Sequence, residues 1–390
     1  GVYDFNEDGI PEISFGPYIF SSLDGTLLAE APGATGTNPN YSPIGLVVAA
    51  NLLSENDCGS PICQGLELAA GPDVYAVTLV SYTNPALNSI TLVRQLPGFG
   101  DGYTSIADFD ADGKLDIIVG GTNLNSNTSG VYVWDPLTEQ LSKPFWTLGN
   151  ATFTIGRPSV ADFDNDGELE IAVHTEDFGG GDLQVIDQDM STLWSFNTND
   201  VSGATGCTDG HFNGDGAAEV VYRDQTQLRI IEGSTGTTIT NFPCTSGTIN
   251  EYPVIADLNG DGQTEITCNC GGTPGNVNIA RTTVWGSDDL PWMPARPVWN
   301  QHAYFNVNVL DDLSIPQEQQ QPHLPGDQAL NGFLTQYSNP EYPVPDATAE
   351  ILGISCTEGG LLFSMQFCNV GDQVLSFNTP FTIWEGDPTN

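Results

Sequence analysis

The chain has 390 residues, 39% of them hydrophobic, with 44 Gly and 26 Pro, a make-up that suits short strands and tight turns and excludes long helices and extended disorder. Its 50 acidic side chains against 8 Lys plus Arg leave a net charge of −42, a field that repels nucleic acid and anionic lipid and makes divalent cations the natural counter-charge. No apolar run approaches the roughly eighteen residues of a membrane helix. No leader-like segment opens the chain and its first residues already lie inside a motif, so it is expected to be an excerpt of a longer, processed precursor.

A nine-residue pattern, D-x-D/N-x-D-G-x-x-D/E, organises the chain. The first copy is residues 4–12 (DFNEDGIPE) and the next intact one is residues 108–116 (DFDADGKLD). Between them one unit has lost its loop; its remnant is IGLVVAANLLSEND followed by GLELAAG, strand-like flanks without the carboxylates. Residues 162–170 (DFDNDGELE) come next, then a damaged copy at 211–219 (HFNGDGAAE) with His211 in first place, then residues 257–265 (DLNGDGQTE). A period near fifty residues is that of propeller blades or another repeat array. Short β-branched runs precede the loops (SIADF, SVADF, VIADL) and follow them (DIIVGG, EIAVHT, EVVYRD, EITCNC), with a third strand in VYVWD, LQVID, LRIIEG and TTVWG. A weaker fourth appears in FWTL, LWSF and ITNF. Four strands per unit, repeated, make an all-β fold of the β-propeller kind with six recognisable units. Trp134, Trp146, Trp194 and Trp285 fall at repeat-equivalent strands, which favours packing between blades.

The loop spacing carries chemistry. Calcium takes six to eight oxygen ligands, and a tight loop can turn the side chains at positions 1, 3 and 5 inward, offer the carbonyl of position 7 and close the shell with a carboxylate at position 9. The expected ligands are Asp4, Asn6, Asp8, Glu12 and the Ile10 carbonyl; Asp108, Asp110, Asp112, Asp116 and the Lys114 carbonyl; Asp162, Asp164, Asp166, Glu170 and the Glu168 carbonyl; and Asp257, Asn259, Asp261, Glu265 and the Gln263 carbonyl. The damaged loop keeps Asn213, Asp215, Ala217 and Glu219 and is expected to bind weakly, giving about four calcium sites or five. An EF-hand begins the same way but needs Glu at position 12 and flanking helices. Position 12 here is Phe15, Val119, Val173 and Cys268, each inside a strand-like run.

Eight Cys form an even, scattered set with no paired zinc spacing, which points to disulfides and an oxidising compartment. Cys58 with Cys63 is the first expected pair, because both lie in one short loop. No hydrolase or metalloprotease signature is present. His174 in EIAVHT reads as a packed strand residue and His302 in WNQHAY as packing of the closing blade.

The string FGDGYTSIADFDADGKLDIIVGG, residues 99–121, resembles an FG-GAP repeat of the integrin α-subunit propeller and of VCBS-type repeats in secreted bacterial surface proteins. The resemblance spans about residues 1–300. It implies a seven-bladed propeller with calcium loops on one rim, used in adhesion or as a rigid spacer. A seventh blade would come from residues 298–316 (VWNQHAYFNVNVLDDLSIP) and the stretch of chain just after them. Near the end, CNVGDQ and TPFTIWEGDP resemble a CARDB-type immunoglobulin-like module. The expected division is a propeller with its closing segment over residues 1–340 and the start of a β-sandwich over 341–390.

Together these features point to an extracellular calcium-binding module of a large surface adhesin or appendage, not an enzyme. Its expected partners are neighbouring domains or copies of the parent protein, or host, prey or matrix glycans and proteins, with no nucleic acid and no membrane insertion. The alternative is a carbohydrate-active propeller, either a lectin or a polysaccharide lyase or hydrolase.

Overall fold

The structure, a computed structural model, describes residues 1–38, 42–177, 180–271, 281–287, 292–319, 330–336, 338, 347–357 and 360–369. Strands β1 (Val2–Tyr3), β2 (Glu12–Phe15), β3 (Tyr18–Ser21) and β4 (Leu27–Glu30) form a first antiparallel meander. A short ribbon of β5 (Thr37–Asn38) and β6 (Ser42–Gly45) leads to the second, made of β7 (Val48–Ala50), β8 (Glu67–Ala70), β9 (Asp73–Thr78) and β10 (Ser89–Gln95). The third comprises β11 (Tyr103–Ala107), β12 (Asp116–Asn123), β13 (Thr128–Asp135), β14 (Gln140–Leu141) and β15 (Trp146–Asn150). The fourth comprises β16 (Thr154–Ile155), β17 (Ser159–Ala161), β18 (Glu170–Asp177), β19 (Gly180–Ile186) and β20 (Thr192–Thr198). The fifth holds β21 (Thr208–Gly210), β22 (Glu219–Arg223), β23 (Gln227–Ile231) and β24 (Thr238–Pro243), and the sixth β25 (Val254–Ala256), β26 (Glu265–Cys270) and β27 (Arg281–Trp285). All six units read from the sequence are present, the loop-less second one included.

The residue patterns explain the layering. Inner and middle strands are buried on both faces, as in β11 (YTSIA) and the first six residues of β12 (DIIVGG). They carry near-continuous apolar or small residues, as strands covered on both faces must. Outer strands alternate: β24 (TITNFP) shows only every second residue to solvent. Inner strands β7, β11, β17, β21 and β25 lie side by side in that order, so the sheets stack face to face around a common centre. The tryptophans bridge them. Trp134 is fully buried and donates to the Gly71 carbonyl of the preceding sheet, Trp146 donates to Thr192 of the next, and Trp194 to the Gly233 carbonyl of the next.

The expected closing blade is not a sheet over residues 298–316. Among the described residues of that stretch the only regular element is a 3-10 turn, Asn306–Asn308. Side chains supply much of its backbone bonding, together with the Leu334 N–H, which donates to the Tyr304 carbonyl. Arg296 donates to the carbonyls of Asn306 and Val309, and Asn308 donates to the Ala303 carbonyl. The stretch spans from the sixth sheet to the first: the Arg296 carbonyl accepts from Asp257 N, Gln301 accepts from Val2 N, and Gln317 donates to the Glu7 carbonyl. A later strand, β28 (Thr335–Gln336), runs parallel to β21 and is buried with Phe333 and Leu334 against the inner strands. Gln336 Nε2 reaches the carbonyls of Ile255, Arg296 and Val298 and pins this segment to the centre of the molecule.

Two long strands, β29 (Ala347–Thr357) and β30 (Gly360–Asn369), pair as an antiparallel hairpin that leaves Ile351, Leu352, Ile354, Leu362 and Phe367 exposed. Most of the immunoglobulin-like strings lies in residues 370–390, outside the described residues.

Among the described residues two disulfides are formed, Cys58–Cys63 and Cys244–Cys270, with Cα atoms 6.2 and 4.9 Å apart. The first bears out the expected pair. It sits in the loop joining β7 to β8, where the other units carry the acidic motif. That loop also holds the short helix Glu55–Cys58, whose Ser54 and Asp57 cap each other. Replacing both cysteines (Cys58→Ser with Cys63→Ser) is expected to cost about 2 kcal/mol, the chain-entropy value for so short a loop. Urea unfolding under non-reducing conditions checks this, and an unchanged midpoint would show that the loop's own hydrogen bonds hold it.

Candidate functional site: the acidic turns between inner and second strands

Each acidic motif joins an inner strand to the second strand of its sheet, and its backbone repeats in every copy. Position 6 is a glycine with φ of 85° at Gly9, 86° at Gly113, 90° at Gly167, 97° at Gly216 and 86° at Gly262, a region open to glycine and costly for other residues. Position 4 is left-handed too, even where it is Glu7, Ala111 or Asn165. In the third and fourth sheets these turns bring positions 1, 3 and 9 together, while position 5 stays exposed.

Position 1 anchors the turn. Asp4 accepts from the backbone N–H groups of Asp8 and Gly9 at 3.0 and 2.7 Å, and Asp108 from those of Asp112 and Gly113 at 3.0 and 3.1 Å. Asp162 and Asp257 accept instead from positions 4 and 6, the N–H groups of Asn165 and Gly167 and of Gly260 and Gly262, at 2.6 to 3.0 Å. Position 5 (Asp8, Asp112, Asp166, Asp215, Asp261) accepts from the N–H of position 7. Position 9 reaches back to the N–H of position 2: Glu12 to Phe5, Asp116 to Phe109, Glu170 to Phe163, Glu219 to Phe212 and Glu265 to Leu258. Positions 1 and 9 are buried in all four intact copies except Asp162, which is half-buried.

The sequence-predicted ligands converge in part: positions 1, 3 and 9 meet in two of the intact turns, and position 5 is not among them. The carboxylates of Asp108, Asp110 and Asp116 have oxygens within 4.8 Å of one another, as do those of Asp162, Asp164 and Glu170. In the first and last copies position 3 is an amide. Asn259 bonds Asp261 and Glu265, each at 3.1 Å, and Asn6 bonds Asp8 at 3.0 Å. The ion pairs of Arg223, Arg229 and Arg296 go to Glu251, Asp224 and Asp311, none of them a ligand position. Burial, with the neighbouring carboxylates acting in the same direction, pushes Glu12 and Asp116 up to about 7, Glu219 to about 8 and Glu170 to about 9. Carboxylates gathered and largely buried are a donor set that suits a hard divalent cation.

Two participants are not legible in the sequence. The second unit reads as one that has lost its carboxylates, but Glu67 keeps the position-9 role. It pairs with Ala50 as Glu12 pairs with Tyr3, is 1% exposed, and accepts from Leu52 N and Leu53 N at 3.0 Å each. Its place as first residue of a strand directly behind a Gly-Leu pair is the available signal, shared with Asp116 and Glu170 in looser form. The other is Tyr82, from the neighbouring sheet. Its hydroxyl lies 3.1 Å from Asp8, 3.2 Å from the Ile10 carbonyl and against Glu12, three of the expected ligands of the first loop.

Of the two histidines read as packed in the sequence, His174 is packed and His302 is exposed. His174 is fully buried, stacked on Tyr222 and 3.8 Å from Asp200, and burial holds it down at about 4. His302 lies beside Arg157 and Asn250 at a cavity of about 210 Å³. Arg157 is buried there and donates to the carbonyls of Thr104, Val47 and His302.

A family model for the FG-GAP-like repeat matches residues 108–173 and 211–268. The chain carries FG-GAP-like repeats. The matched segments run from the turn at 108–116 into β18 and from the damaged turn into β26, so the family pattern coincides with the turn-and-strand units described above. No curated protein matches the chain in sequence. Among solved structures it is similar to the V. cholerae biofilm matrix protein Bap1, at 16% identity over 88% of this chain and 77% of that one, with a TM-score of 0.58. It also aligns with the Dos1 propeller (12% identity, 73% and 64% of the two chains, TM-score 0.40) and with rhamnogalacturonan lyase YesW (12%, 96% and 57%, TM-score 0.37). The Bap1 likeness, at 16% identity, speaks to the fold alone, an all-β propeller. No helix among the described residues is long and apolar enough to cross a membrane.

Proposed function

We propose that this FG-GAP propeller is an extracellular calcium-binding module of a larger surface or matrix protein, serving in attachment or as a rigid unit. The observation that carries the reading is the repeated turn, in which carboxylates converge in the same backbone frame. In this reading calcium is held by the four intact turns at the residues named above, and the Tyr82 hydroxyl moves aside or joins the shell when the first turn fills. Residues 341–390 begin a separate β-sandwich unit, and the partners are neighbouring domains or copies of the parent, or glycans and proteins of a matrix, host or prey surface. The Bap1 likeness supports the fold on which this rests.

A second reading, binding or cleavage of acidic carbohydrate, is favoured by one feature. The cavity beside Arg157, Asn250 and His302 offers a buried cation that no carboxylate pairs with among the described residues. Deleting the propeller from the parent protein separates the two. Loss of surface attachment or of matrix structure is the expected result. Intact attachment with loss of a polysaccharide-degrading activity would overturn the first reading in favour of the second.

A further inference from the structure

The damaged turn is the one whose first position has lost its carboxylate. His211 stands there and hydrogen-bonds the backbone of Ala217. Directly after β23, however, comes Glu232. Val220 pairs with Ile231, so Glu232 faces Glu219 across the two strands, and the carboxylate oxygens of Asp215, Glu219 and Glu232 lie within 4.8 Å of one another.

The repeat makes this placement informative. The same cross-strand position is Asp135 in the third sheet and Asp187 in the fourth, given the pairs Ile117 with Trp134 and Ile171 with Ile186. Asp135 caps the next turn, accepting from Leu137 N at 2.7 Å, and neither Asp belongs to a carboxylate cluster among the described residues. In the first sheet the position is Ser21 and in the sixth Gly286. A glutamate, one methylene longer and able to reach the turn, stands only where position 1 is not acidic.

A second observation points to a ligand. Glu219 is fully buried; its Oε2 accepts from Phe212 N at 2.7 Å, but its Oε1 is buried with no hydrogen-bond partner. An unpartnered carboxylate oxygen inside a protein is costly unless something positive or a donor meets it. We infer that the turn at 211–219 is a rebuilt divalent-cation site, in which Glu232 supplies the carboxylate that His211 does not, beside Asp215, Glu219 and the Asn213 side chain. Three carboxylates then surround it, as many as the first and last turns offer with Asp4, Asp8, Glu12 and with Asp257, Asp261, Glu265.

This rests on the calcium reading of the intact turns, and the test keeps the two apart. The chelator-stripped protein is titrated with calcium, bound ions are counted by equilibrium dialysis, and circular dichroism confirms that each variant is folded. The expectation is five ions for the natural chain, four for Glu232→Gln, five for Asp135→Asn, and a fifth ion regained when His211→Asp is added to Glu232→Gln. Four ions in the natural chain and four in Glu232→Gln would overturn the inference and leave the intact turns standing. Five ions in both would show that Glu232 is not a ligand. No calcium bound anywhere would overturn both.

Discussion

Removing calcium is expected to lower the thermal midpoint by roughly 10–15 °C. A ligand that binds only the folded state contributes about 2.7 kcal/mol at a hundred times its dissociation constant, so four extracellular-type sites in ~10 mM calcium contribute ~11 kcal/mol. With an unfolding entropy of about 2.1 cal/mol/K per residue, a chain of this length loses roughly one degree for each kcal/mol. The cause is local. In the turns at 108–116 and 162–170 three carboxylates crowd within 4.8 Å of one another, and without an ion their repulsion opposes the fold. High salt restores only part of the loss, because screening is weak between groups as buried as Asp108, Asp116 and Glu170. Calorimetry with and without excess chelator checks this, and coincident melting curves would show that the turns fold without an ion.

The second large effect is a change of sign with pH. In the calcium-free protein the position-9 carboxylates are raised from ordinary values of 4.5 for Glu and 3.8 for Asp, to about 7 at Glu12 and Asp116 and about 9 at Glu170. A folded state that holds protons more tightly than the unfolded one is most stable where both are protonated, and it loses that stability as pH rises through the folded values. The calcium-free protein is therefore expected to melt highest near pH 5 and progressively lower from pH 6 to 9. Calcium needs the deprotonated form, so the loaded protein gains on the free one over the same range. Glu170→Gln separates this from general charge repulsion. Its amide imitates the protonated acid, can still accept from Phe163 N, and makes the calcium-free protein more stable at pH 8 while abolishing one site. A calcium-free midpoint that climbs between pH 5 and 9 would contradict the assignment.

The acidic turns were legible because metal ligation and turn geometry both demand fixed residues at fixed spacing. Glycine at position 6 answers a left-handed backbone, and the carboxylate at position 9 answers the N–H of position 2. The strands were legible from their β-branched runs, and the tryptophans from their repeat positions. What escaped depends on contacts between distant parts of the chain. Residues 298–316 carry apolar and aromatic residues that resemble a blade, but Arg296 and Asn308 supply much of their backbone bonding, a choice no local pattern announces. Glu67 was hidden because the rest of its motif had been replaced by a longer loop with a disulfide. Tyr82 and Glu232 reach the turns from a neighbouring sheet and from across a strand pair, so only register brings them there.

The central claim is that calcium occupies these turns, and a crystal structure grown in millimolar calcium tests it most directly. Anomalous scattering recorded on both sides of the zinc edge distinguishes the two metals. The account predicts calcium in each of the four intact turns, ligated by positions 1, 3, 5 and 9 and the carbonyl of position 7. Turns that stay empty under those conditions, or that hold zinc, would contradict it.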